Sequence, residues 1–173
     1  MKNSMCWALT MLTVLVASAC GAVPSPSSGE FAERDSLVGA WRSQIRFNGG
    51  ALAGMKDLEF MYAFNAGGTM TESSNYDGAP PVPPAYGVWR KSGPRQFEAK
   101  YAFYITKAPE TFEDIAKGGG WSPAGRGVLT ETITLSDDGR SYKSTIVYTA
   151  FDQAGKPVEG GGEGNGAGVR MGF

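Results

Sequence analysis

An all-β domain is the fold this sequence predicts, an eight-stranded antiparallel up-and-down barrel spanning 37–173 with a short N-terminal helix and a short loop helix. Three observations predict it. Apolar and polar residues alternate with a period of two in a series of separated runs, which gives each run one buried and one wet face. Tight turn signals rich in Gly, Asn and Asp join alternate runs. Long links join most of the others, and no long return connection of the kind a Greek-key sandwich needs is evident.

Residues 1–19 lie outside this pattern. Lys2 gives a basic start, 5–16 are mostly apolar, and Ala17, Ser18 and Ala19 are small. That order describes an export signal peptide, and the apolar run is shorter than the roughly 20 residues a spanning helix needs. Cys20 follows directly. The run VASAC resembles a lipoprotein signal, whose cysteine is lipidated and becomes the new terminus. Leu usually stands where Ala17 is, and plain cleavage at an Ala-x-Ala site leaves Cys20 unmodified. Residues 21–29, GAVPSPSSG, suit a flexible tether. A short helix is expected at 30–36.

The strands are expected at 38–47, 57–64, 69–74, 85–91, 96–106, 127–135, 141–151 and 157–171. In the first, Trp41, Ser43, Ile45 and Phe47 share a face. The fifth sets Phe97, Ala99, Tyr101, Phe103 and Ile105 on one side. The sixth sets Leu129, Glu131, Ile133 and Leu135 against Thr130, Thr132 and Thr134. The turns at 65–68, 92–94 and 137–139 are tight, and 152–156 is short. Links 48–56, 75–84 and 107–126 are long, the last with a helix at 110–117. In a meander alternate links share an end, so the tight turns collect at one end and the long loops at the other. With eight strands the last finishes where the first begins, and closure brings Trp41 and Arg170 together there.

Composition removes several function classes. Cys6 leaves with the leader and Cys20 sits at the new terminus, so the domain has no disulfide, thiol nucleophile or cysteine metal site. The chain has no His, which removes the commonest general base and most zinc sites. No metal and no cofactor are expected. Net charge is −1 without a basic cluster, so no nucleic-acid partner is expected. The chain is expected to be a monomer. The glycine-rich GGGEGNGAG at 160–168 lacks the Lys–Ser/Thr ending of a phosphate loop and reads better as a strand that bends to close a barrel.

Gly39 and Trp41 open the first strand as a Gly-x-Trp motif, and Arg170 stands near the end of the last. With FNAGGT at 64–69, GVWRKSGP at 87–94 and LSDDG at 135–139, the chain resembles small bacterial lipocalin-like (calycin-type) β-barrel proteins. The resemblance covers most of 37–173. It implies that Trp41 and Arg170 close the barrel bottom, with the Arg packed over the Trp, and it implies a fold far more strongly than a chemistry.

Strand parity places Ile45, Phe60, Tyr62, Trp89, Tyr101, Phe103, Glu131, Ile133 and Tyr148 inside, with the inward face of the fourth and seventh strands, and so Trp89 and Tyr148, left open. They either fill the barrel or line an aromatic pocket for a small hydrophobic or amphipathic ligand. Glu131 is the conspicuous polar member. A carboxylate inside a barrel is costly unless paired, so it pairs with an inward Arg, orients a ligand, handles a proton, or sits in water near the mouth. Glu72, on the Met70 face, raises the same question. The function expected is an exported carrier of such a ligand: a periplasmic or cell-envelope lipoprotein held by a lipid on Cys20, alternatively secreted. Two alternatives stand beside it. One is an isomerase- or cyclase-type enzyme with Glu131 and tyrosines as proton-handling groups. The other is a packed-barrel envelope interaction protein.

Overall fold

The computed structural model describes residues 34–76, 84–117 and 119–172. Strands β1 (Gly39–Phe47), β2 (Leu58–Phe64), β3 (Thr69–Ser74), β4 (Ala85–Gly93), β5 (Gln96–Lys107), β6 (Ser122–Leu135), β7 (Ser141–Phe151) and β8 (Pro157–Arg170) form one closed barrel in sequential order. All neighbouring pairs are antiparallel, and β8 pairs back onto β1. The predicted fold class is the observed one. The leader, Cys20, the tether and residues 30–33 of the predicted first helix lie outside the described residues. Arg34 is helical, and by Ser36 the chain has left the helix.

Alternation produces the barrel as expected. On β1 the inward set Trp41, Ser43, Ile45 and Phe47 is buried and the intervening residues are exposed. The β6 set Leu129, Glu131, Ile133 and Leu135 behaves in the same way. On β4 and β7 the inward sets are those of Ala85 and Tyr142.

Two local features differ from expectation. In the β4–β5 turn the residue with positive φ is Arg95, at 55°, rather than a glycine. Pro94 pre-sets the preceding φ, and the Arg95 guanidinium pairs with Asp137 of the neighbouring β6–β7 turn. Second, β6 begins at Ser122 rather than 127, and its first residues pair with the end of β5 past an irregularity at Ile105 and Thr106. SPAGR has no alternation to read, because that stretch lies beyond the barrel wall and has no core face to fill. The loop helix α1 (Phe112–Ala116) is shorter than expected, since Thr111 caps it in a reciprocal box with Asp114.

The tight-turn end is filled. Trp41 is fully buried and donates its indole N–H to Leu37 O at 2.9 Å. Tyr142 lies against it, ring centres 5.2 Å apart, and Phe64, Met70, Phe97 and Leu135 complete the layer. The glycines of β8 make this possible. A Cβ on Gly168 would lie 2.3 Å from the Tyr142 ring, and one on Gly166 2.4 Å from Ser144 Oγ. The last wall of the barrel is thin so that the side chains opposite can be large.

Candidate functional site

Halfway along the barrel the apolar core gives way to a polar layer. Ser43 from β1, Glu72 from β3, Glu131 from β6 and Ser144 from β7 are all buried, with Tyr62 from β2 and Tyr101 from β5 among them. Each points inward through the same parity that buries its apolar neighbours.

Glu131 sits at the centre. Its Oε2 is 3.1 Å from the Tyr62 hydroxyl and 3.1 Å from the Tyr101 hydroxyl, and the two hydroxyls are 3.1 Å apart. The sequence left an inward Arg as one possible partner; the partners are phenols. Two phenolic protons cannot fill three contacts. Both hydroxyls donate to Oε2, and the contact between the two hydroxyls has no proton of its own. Burial raises the Glu131 carboxyl above the usual range. Ser144 and then the two tyrosines pull it down by less. Neither Ser144 Oγ nor Glu131 Oε1 completes a hydrogen bond. Burial first, and the proximity of Glu131 second, push Tyr62, Tyr101 and Tyr142 up, so these phenols stay protonated.

Glu72 is the second carboxyl. It is register partner of Tyr62 and Ala85. Burial, and then the charge of Glu131, push it up to about 8. Its Oε1 is buried and makes no hydrogen bond. Buried polar groups without partners are rare. Here Glu72 Oε1, Glu131 Oε1, Ser43 Oγ, Ser144 Oγ and Tyr142 Oη are all of that kind.

Above this layer, toward the long loops, the barrel is hollow. A cavity of about 520 Å³ is lined by Leu58 and Phe60 of β2, Glu72 of β3, Phe103 of β5, Leu129 of β6 and Tyr148 of β7. Leu52 from the β1–β2 link and Tyr76 and Pro84 beside the β3–β4 link form the mouth. The volume is that of a small-molecule site.

The nine expected lining residues divide by depth. Phe60, Phe103 and Tyr148 line the cavity. Ile45, Tyr62, Tyr101, Glu131 and Ile133 are buried within or beneath the polar layer. Trp89 is corrected: it lies at the tight-turn end between Phe64 and Phe97, donating its indole N–H to Asn65 O and Thr69 O, and does not line the cavity. Leu52 and Tyr76 were invisible to parity because they sit in links. Leu129 was legible as a neighbour of Glu131 on the same face.

No family model matches this chain, and no curated protein matches it.

Proposed function

We propose that the chain is a lipocalin-like carrier that holds a small hydrophobic or amphipathic molecule in the upper half of its barrel. The observation that carries this reading is the 520 Å³ cavity, walled by aromatic and aliphatic side chains and supplied with a single carboxyl group, Glu72. A mostly apolar lining with a few placed polar groups is what small ligands require. The hollow upper half weighs against a packed barrel that acts only through its outer surface. The leader at 1–19 and Cys20 suggest a carrier tethered in the cell envelope by a lipid.

Native mass spectrometry of the protein as purified tests this. A small apolar molecule should accompany the chain, leave on solvent extraction, and be replaced by an environment-sensitive dye at one per chain. A protein that carries nothing and takes up no dye would overturn the reading.

A second reading, proton transfer on the bound molecule, is favoured by Glu72, a cavity carboxyl pushed up to about 8. Glu131, the expected acid/base group, lies beneath the cavity lining. Incubation in heavy water should then place deuterium on carbon in the extracted ligand, and Glu72→Gln should abolish that exchange. Unlabelled ligand would leave the carrier alone.

A further inference from the structure

We propose that the molecule held in the cavity is an amphipathic cation, with an ammonium-type head seated against Glu72 and an apolar body among Phe60, Phe103, Leu129 and Tyr148. This rests on the ligand-binding reading above and narrows it to a class.

The lining is the first argument. Among its residues are one carboxyl group and no Lys or Arg. The ion pairs among the described residues are on the outer surface, as with Arg42 and Glu59 or Arg90 and Glu98. An anionic head such as a carboxylate or a phosphate would meet no positive charge in this cavity and would approach Glu72 with Glu131 behind it. An anion is thus the class the site disfavours most.

The second argument is Glu72 itself. A buried carboxyl with an oxygen that makes no hydrogen bond is unfavourable in either protonation state. A cation provides what the barrel does not, a counter-charge and N–H or polarised C–H groups. The aromatic side chains Phe60, Phe103 and Tyr148 that surround the body also favour a cation in the same cavity, since aromatic rings attract cations.

The groups around Glu72 set the charge balance. Tyr62 faces it from β2, Tyr101 from β5, Glu131 from β6 and Tyr148 from β7. Strands β1, β4 and β8 contribute Ser43, Ala85 and Gly166, none of which titrates. Glu72 is the carboxyl that lines the cavity, whereas Glu131 lies beneath it between two phenols. Seating a cation therefore expels the Glu72 proton. Affinity for a permanent cation should rise with pH, by about tenfold per unit well below pH 8, and level off above it.

Three probes of equal chain length decide the matter by calorimetry: decyltrimethylammonium, decanol and decanoate. The first carries a charge that does not titrate, so any pH dependence belongs to the protein. Wild type should prefer the cation to the alcohol by at least tenfold at pH 8, lose most of that preference at pH 6, and reject decanoate. Glu72→Gln should keep its fold by circular dichroism, still bind decanol, and show neither the preference nor the pH dependence. Decanol bound as tightly as the cation, or a cation preference that survives Glu72→Gln, would overturn the inference while the carrier reading stands. Binding of none of the three would overturn both.

Discussion

Arg170 lies over the Trp41 ring, 4.3 Å from its centre, and the two residues are register partners across the seam that closes the barrel. The guanidinium also donates to carbonyl oxygens, among them Ser36 O at 2.6 Å, Val38 O at 2.6 Å and Gly139 O at 3.0 Å. One side chain thus joins the β1 approach, the β6–β7 turn and β8. Trp41→Ala should cost roughly 3–5 kcal/mol, because the ring is fully buried. Arg170→Lys keeps the charge but loses the planar fork, and should cost about 1–3 kcal/mol. Urea unfolding of both variants measures this, and an unchanged midpoint for either would show that the seam does not depend on the pair.

The raised carboxyls make stability fall as pH rises. Glu72 moves from 4.5 unfolded to about 8 folded, so the native state holds the proton more tightly between those values. Its neutral form is fully accommodated below pH 4.5, and the folded state loses ground through the window up to about 8. The loss is on the order of a few kcal/mol. Glu72→Gln should flatten much of that slope and melt above wild type at pH 8. An identical pH profile for the two proteins would place the carboxyl in water.

The Glu131 carboxyl, raised by burial between Tyr62 and Tyr101, has a spectroscopic signature. Infrared spectra at neutral pH should contain a protonated-carboxyl carbonyl band that Glu131→Gln removes. Tyr101→Phe should shift the band, since it deletes one donor to Oε2. A carboxylate-only spectrum would refute a protonated Glu131.

Gly168→Ala tests the thin wall of β8. The new Cβ would meet the Tyr142 ring at 2.3 Å, and relief by moving that ring disturbs its contact with Trp41. A loss of roughly 1–3 kcal/mol is expected from overpacking. Gly172→Ala, with nothing near its Cβ, should change nothing and serves as the control.

Export and anchoring can be separated. Expressed in a bacterium, wild type should partition with membranes and Cys20→Ser should not. Equal recovery of both in the soluble fraction would remove the lipid and leave export standing.

The amino-acid sequence by itself determined the strand order, the inward faces of β1, β5 and β6, and the meeting of Trp41 with Arg170. Each of these depends on local alternation, on turn residues or on counting strands, all written along one stretch of chain. It also brought out Glu131, because a carboxylate on an apolar face is legible wherever it occurs. Tertiary structure decided depth. Glu72 and Glu131 share inward parity and a polar layer, yet Glu72 lines the cavity and Glu131 is sealed beneath it by two phenols from other strands. Trp89 has inward parity too, and only its height on β4 takes it to the filled end. Whether a layer is hollow depends on the combined size of side chains from all eight strands at one height. A glycine on β8 and a tyrosine on β7 offset each other there, and no single strand records the sum.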